Sequence, residues 1–190
     1  MPNEQPETVQ CEHCGQLHGE EERLCPQTGK LFRPERIFPP GTLLGGKYRL
    51  GKVLGSGGMG AVFEAQHTLL QKRVAIKLMI PEMAEDRELL ARMVREARTA
   101  SATGHRNIVL VTDMGWEGNA PYLAMEHLEG VTIRQLIRER RQIPEQETSE
   151  LIEQVLSGLE VVHARDIVHR DLKPDNIMVV EDEEGNAVAK

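Results

Sequence analysis

Aromatic residues are scarce in this sequence: three Phe, two Tyr and one Trp make up 3% of 190 residues. Any core must therefore rest on aliphatic side chains and the eight Met. No apolar run approaches the roughly 20 residues that a membrane-spanning helix needs. The opening MPNEQPETVQ has neither the basic start nor the apolar stretch of a secretory signal. Positive charge is also short, with 23 Lys and Arg against 30 Asp and Glu, a net charge of −7. That balance argues against a nucleic-acid partner, because nonspecific binding needs a basic surface. All three cysteines fall within residues 11–25. An odd, clustered set is a poor disulfide framework, so a reducing cytoplasm is the expected compartment.

What is present divides into a cysteine-containing segment (1–30), a segment with three Pro and three Gly that suits a linker (31–47), and a regular region from Tyr48 onward. YRLGKVLGSGGMGAVFEAQH reads as two strands around a glycine-rich turn, and KRVAIKLMI (72–80) as a short buried strand. Leu89, Leu90, Met93, Val94 and Ala97 recur at helical spacing, which predicts an amphipathic helix over 84–102. Strands are expected at 107–116 and 120–128, then a short helix at TIRQLIRER. A longer helix is expected over 145–164 with Leu151, Ile152, Val155, Leu156, Leu159 and Val162 on one face, and a final hairpin closes the region. Five strands with one inserted helix, followed by helices, make an α+β arrangement.

Three glycine or lysine signals differ in weight. GTLLGGKY (41–48) nearly spells a P-loop, but Tyr48 stands where a magnesium-binding hydroxyl belongs and Pro39-Pro40 where a strand is needed. GSGGMG (55–60) fits G-x-G-x-x-G, yet the following Ala61-Val62-Phe63-Glu64-Ala65 alternates like a strand rather than opening a helix as a dinucleotide fold requires. The glycines therefore cap a hairpin, a geometry that lets backbone N–H groups approach phosphate oxygens. In VAIK (74–77) a lysine ends a buried strand, which is costly unless its charge has a partner. Glu96, on the following helix, can supply one.

HRDLKPDN (169–176) completes the series. With LGSGGMGAVFEA, VAIK, the helical Glu96 and HRDLKPDN in this order, the chain resembles the eukaryotic-like (Hanks-type) Ser/Thr protein kinases of bacteria. The resemblance runs from Tyr48 to Lys190. It implies a kinase small lobe, a five-stranded antiparallel sheet plus one helix, through the hinge (48–128), and an incomplete large lobe through the catalytic loop (129–190). It also implies ATP and Mg2+ as cofactors and Ser/Thr-bearing proteins as substrates. On that resemblance Leu54, Gly55, Ser56, Gly57, Gly58, Met59, Gly60 and Ala61 cover the nucleotide. Val62 and Ala75 enclose the adenine from above and Met178 from below. Lys77, paired with Glu96, holds the α- and β-phosphates. Met125 is the gatekeeper, and Glu126-His127-Leu128 form the hinge. Asp171 is the catalytic base, Lys173 neutralises the γ-phosphate, Asn176 ligates magnesium, and His169 and Arg170 support them. A noncatalytic, pseudokinase-like scaffold is the alternative.

No Asp-Phe-Gly occurs in these 190 residues, although the resemblance leads one to expect it a few residues after AVAK. The expectation is an N-terminal portion of a longer kinase, and negligible activity from this portion alone, because Asn176 by itself is a poor site for a cation that wants carboxylate help.

CEHCGQLHGEEERLCPQTGK contains C-x-x-C-G at 11–15 and C-P-x-T-G at 25–29. Both resemble the knuckle turns of a zinc ribbon, whose glycine lets N–H groups point at thiolate sulfur. Thr28 stands in place of a fourth cysteine. Cys11, Cys14 and Cys25 with His18 or His13 would make a Cys3His site for Zn2+, and the alternative is an unmetallated tail with free thiols.

Overall fold

A computed structural model describes residues 8–19, 21–81 and 85–190. The chain forms two compact units, Met1–Leu90 with Asp113–Ala124, and Ala91–Thr112 with Met125–Lys190. The fold is α+β, as the sequence leads one to expect.

In the first unit, β1 (Thr8–Gln10) and β2 (Leu17–Gly19) form a small antiparallel ribbon. A four-residue helix, α1 (Pro34–Ile37), follows. A sheet of order β3-β4-β5-β6-β8-β7 is then built from β3 (Leu43–Leu44), β4 (Tyr48–Ser56), β5 (Gly60–His67), β6 (Arg73–Met79), β7 (Val111–Glu117) and β8 (Ala120–Glu126). Strand alternation decides which face is buried. Ala61, Phe63 and Ala65 on β5 and Val74, Ile76 and Leu78 on β6 point into one aliphatic core, with Phe63, Ile76 and Leu78 fully buried. Two register shifts in the β4–β5 pairing fall between Leu50 and Gly55. Such bulges bend and twist a strand, and here they do so just before the glycine-rich turn.

The segment 31–47, expected to be a linker, contributes to this core. Leu31, Phe38 and Leu44 are buried in the same cluster as the β4–β6 side chains, and Leu44 pairs with Tyr48 to add the sixth strand. Its apolar side chains outweigh its Pro and Gly content. The P-loop look-alike is thereby accounted for as β3 and its turn. Tyr48 and Lys47 both bond Asp113 Oδ2, at 3.0 and 2.9 Å.

The helix expected over 84–102 is α2 (Arg87–Thr103), and residues 82–84 lie outside the described ones. Asp86 Oδ1 accepts from the amides of Glu88 and Leu89 at its start, the usual N-cap arrangement. In the second unit, β9 (Gly130–Thr132) leads into α3 (Ile133–Arg140) through a capping box between Thr132 and Gln135. The longer α4 (Glu145–His163) has two acidic residues in its first turn and His163 in its last, which suits the helix dipole. Of its expected apolar face, Leu151 is buried while Ile152 and Leu156 are exposed. The strands β10 (Met178–Glu181) and β11 (Ala187–Ala189) join β9 in a three-stranded sheet of order β11-β10-β9. Ile133, Leu151, Ile177 and Ala189 form the core of this unit. No helix among the described residues is long and apolar enough to cross a membrane.

Candidate functional site

In the second unit, residues 164–177 form a loop between α4 and β10 that ends in a single 3-10 turn, Pro174–Asn176. Two contacts anchor the turn. Ile133 N–H donates to the Ile177 carbonyl at 2.9 Å, and the Arg134 guanidinium meets Asp175 Oδ2 at 3.3 Å. Three polar residues expected from the sequence converge here. Lys173 Nζ donates to both Asp171 carboxylate oxygens at 2.8 Å. Asn176 Nδ2 donates to the Asp171 carbonyl at 2.8 Å and to its Oδ2 at 2.9 Å. The Lys173 ammonium and then the Asn176 amide hold the Asp171 carboxyl below its ordinary range, so it stays ionised. Arg170, immediately before it, has φ of 63°, a region non-glycine residues rarely occupy and one that recurs at functional sites. Because Asn176 spends its nitrogen on Asp171, its Oδ1 is left for another partner, and a neutral hard oxygen is the donor type Mg2+ accepts. Asn176 Oδ1 can supply one of the several oxygens that an octahedral Mg2+ shell takes.

Glu126 anchors the segment between β8 and β9. Its amide donates to Leu110 O at 2.9 Å, and its carboxylate accepts from Leu110 N–H at 2.8 Å and from Lys190 Nζ at 2.6 Å. Met125, Glu126, His127 and Leu128 are all half-buried, as is Met178 on β10. Glu96 is exposed on α2.

In the first unit, Val62 pairs with Lys77 across β5 and β6. Paired residues share a sheet face, as do residues two apart on a strand. Val62, Ala75 and Lys77 therefore line the face opposite Phe63 and Ile76. Lys77 is exposed, and Leu54 and Met59 at the glycine turn are about half exposed, at 46% and 48%. Ala61, expected beside the nucleotide, points its side chain into the core at 2% exposure. Its place beside Gly60 leaves only its backbone for the turn. Gly57 N–H closes the turn on Gly60 O at 2.8 Å. A side chain at Gly60 would collide with the Leu78 carbonyl and come within 2.9 Å of Met79 Cα.

A second group of chemically able side chains lies in the same unit. One ligand atom from each of Cys11, Cys14, His18 and Cys25 lies within 4.8 Å of every other. Cys14 Sγ and Cys25 Sγ are 3.1 and 3.5 Å from His18 Nε2. A tetrahedral Zn2+ spaces such donors by about 3.5–3.8 Å, given Zn–S near 2.3 Å and Zn–N near 2.0 Å. The two knuckles are formed: Gly15 N–H donates to Cys11 O at 2.8 Å, His13 N–H to Cys11 Sγ at 3.4 Å, and Gly29 N–H to Cys25 O at 2.7 Å. Glu22 Oε2 stands 3.8 Å from the far nitrogen of His18, the position from which a carboxylate steadies a metal-bound imidazole.

Burial pushes the Cys25 thiol up, but hydrogen bonds from the Thr28 hydroxyl, the Gln27 and Thr28 amides and His18 bring it down to about 6. At Cys14 the Gln16 amide pulls down, while burial and the neighbouring sulfurs of Cys25 and Cys11 leave the thiol raised. The sequence left His18 and His13 as alternatives for the fourth ligand. His18 occupies that place. His13 Nε2 lies instead 2.9 Å from Leu31 O and 3.2 Å from Ser56 Oγ.

Residues 48–189 match the family described as protein kinase domain. A probable serine/threonine-protein kinase of Clostridium acetobutylicum is 38% identical over 143 residues, 75% of this chain and 22% of that protein. The serine/threonine-protein kinase PrkC of Bacillus subtilis is 38% identical over 139 residues, 73% of this chain and 22% of its own length. Among solved structures, the Mycobacterium tuberculosis PknI kinase domain aligns with a TM-score of 0.68 at 28% identity, over 79% of this chain and 60% of that one. The chain spans about a fifth of the length of these two curated relatives.

Proposed function

This chain belongs to the protein kinase family, and from that premise we propose that it carries the nucleotide-binding lobe, hinge and catalytic loop of an ATP-dependent protein serine/threonine kinase. The observation that carries this reading is the Asp171 carboxylate held by Lys173 and Asn176, at 2.8 and 2.9 Å. An ionised carboxylate fixed in this way orients a substrate hydroxyl and accepts its proton as the oxygen attacks phosphorus. Lys173 is the cation nearest that carboxylate and would neutralise the transferring phosphoryl group. Lys77 and Glu96 would form the ion pair that positions the α- and β-phosphates, under the amides of Gly55–Gly60. Because the Glu126 amide is bonded to Leu110, the adenine would be met by the Glu126 carbonyl and the Leu128 backbone. Val62, Ala75 and Met178 would enclose the ring, with Met125 as gatekeeper. Asn176 Oδ1 would help hold Mg2+. When bound, Mg2+ offsets the negative charge of the phosphates.

The test is transfer of the γ-phosphoryl group from ATP to a Ser/Thr peptide mixture by the protein that carries this chain. Asp171→Asn should lower transfer at least 100-fold, in the range general-base removal produces, while nucleotide binding persists. Unchanged transfer in that variant would overturn the assignment. The three cysteines are free thiols, which suits a reducing compartment. Cys11, Cys14, Cys25 and His18 would hold Zn2+, because three crowded sulfurs cannot all ionise without a cation among them.

A further inference from the structure

The zinc knuckle and the glycine-rich turn touch each other directly. Leu31 N–H, two residues beyond the second knuckle, donates to Gly57 O at 2.8 Å. Gly29 O, inside that knuckle, lies 3.0 Å from where a side chain at Gly58 would begin. His13, inside the first knuckle, reaches Ser56 Oγ at 3.2 Å and Leu31 O at 2.9 Å. Three consecutive residues of the turn, Ser56, Gly57 and Gly58, are thus each met by the cysteine-bearing segment.

We propose that the Cys11–Cys14–His18–Cys25 centre, loaded with Zn2+, is a clamp on the glycine-rich turn, so that metal occupancy sets the order of Gly55–Gly60 and with it the affinity for a nucleoside triphosphate. The inference rests on the nucleotide-binding and zinc readings above and adds a coupling between them. Its direction follows from which groups are engaged. The knuckle takes the Gly57 carbonyl and the Ser56 hydroxyl, whereas phosphate oxygens would take amide N–H groups. The clamp therefore restrains the turn without occupying its phosphate-facing donors.

A glycine-rich turn loses much conformational freedom when ordered. A turn already held by the knuckle would bind a triphosphate with less of that loss. The knuckle's own order depends on the metal. Among the described residues, the 25-residue stretch from Thr8 to Phe32 contains two three-residue strands and a small cluster around Cys11, Cys25 and Phe32. Segments this small commonly fold only when their metal is bound. Loss of zinc would release His13 and Gly29 from the turn together, leaving Leu31, which the core holds, as its remaining contact.

The experiment uses the 190-residue chain as purified with zinc, after removal of zinc by a zinc-selective chelator, and after zinc is returned. Three quantities are read: bound zinc by atomic emission, hydrogen exchange of the Gly57–Gly60 amides, and affinity for a fluorescent non-hydrolysable ATP analogue with Mg2+. The expected result is one equivalent of zinc, faster exchange at the turn on stripping, and about tenfold weaker analogue binding, the scale of a typical coupling between sites. Both changes reverse when zinc returns. His13→Ala keeps all four metal ligands, so it should retain zinc yet show part of the exchange and affinity change. Cys25→Ser, which removes one metal ligand, should lose zinc and reproduce the stripped state, and His13→Ala serves as the check if that variant does not fold.

Zinc bound at one equivalent with no change in exchange at the turn would overturn the clamp and leave the metal site standing. Failure to bind zinc would overturn both. Tighter analogue binding after stripping would overturn the stated direction. If exchange at the turn follows zinc but no analogue binds in any state, the clamp on the turn is supported while its effect on nucleotide and the nucleotide-binding reading both fail.

Discussion

Leu43 and Leu44 are neighbours on one two-residue strand, yet Leu44 is fully buried and Leu43 is 42% exposed. That contrast gives a direct test of whether residues 31–47 are part of the first unit's core. Leu→Ala removes three carbon atoms, and at about 0.8 kcal/mol per buried methylene the transfer loss at Leu44 is roughly 2.4 kcal/mol. A fully buried site in the same core cluster as Phe38, Tyr48 and Tyr122 cannot collapse freely, so a cavity contribution adds to it. The total should fall in the range of about 2.7–5.0 kcal/mol measured for core leucines. For a chain of this length each kcal/mol moves the melting temperature by about 2–4 °C, so Leu44→Ala should lower Tm by roughly 5–20 °C. At Leu43 the open side relaxes into solvent, and Leu43→Ala should cost about 1 kcal/mol or less. Thermal denaturation followed by circular dichroism reads both. Equal, small shifts for the two variants would show that 31–47 is a tether after all, and would remove the packing that carries Leu31 to the glycine turn.

Two further outcomes follow from single contacts. Gly60→Ala should abolish high-affinity nucleotide binding and cost stability, because its Cβ would strike the Leu78 carbonyl backbone; a titration showing unchanged binding would refute the tight approach of β5 to β6. At Asp113 burial pushes the carboxyl up, but Lys47 and the Tyr48 hydroxyl outweigh it and hold it below its ordinary range. A depressed acid stabilises the fold above its unfolded pKa, about 3.9, and that contribution is lost as pH falls through the lower folded value. Tyr48, raised to about 12 by burial and by Asp113, works at the other end, its contribution present below about 10 and lost as pH climbs toward 12. Asp113→Asn should therefore flatten the acid limb of a stability–pH curve, by about 0.2–1 kcal/mol for a pair as exposed as Lys47–Asp113. An unchanged acid limb would remove the ion pair from the argument.

The parts that were legible in the sequence carry a local signature. β5 alternates along its length, so its faces could be read without coordinates, and β6 is legible as a short apolar run, with Val74, Ala75 and Ile76 all buried. The 169–176 loop is legible because Asp171, Lys173 and Asn176 sit five residues apart or less, and their hydrogen bonds are made within that span. α3 is legible as the short helix of TIRQLIRER, and the structure adds the capping box between Thr132 and Gln135. Residues 31–47 were not legible. Leu31, Phe38 and Leu44 are spaced by seven and six residues, with Pro and Gly between them, and no period links them. Their common burial depends on a sheet assembled from later residues. The choice between His13 and His18 had the same character. It is decided by the β1–β2 register, which sets His18 opposite Val9 and turns its ring toward Cys14 and Cys25.

The contact between the knuckle and the glycine turn shows why such links escape sequence reading. Its closest points are a backbone amide at Leu31, backbone carbonyls at Gly29 and Gly57, and one serine hydroxyl. Backbone groups are the same in every residue but proline, so position 31 registers only as apolar and position 57 only as glycine. The glycine at 58, which a phosphate-binding turn explains by its need for close approach, has a second reason to lack a side chain, namely the Gly29 carbonyl lying against it. Two demands fall on one residue type, and the more familiar one hides the other. The same holds for His13: within C-x-x-C it reads as a metal ligand, while in the structure its ring lies against the Leu31 carbonyl and the Ser56 hydroxyl. A residue that satisfies two physical constraints is legible in sequence only for the one that has a motif.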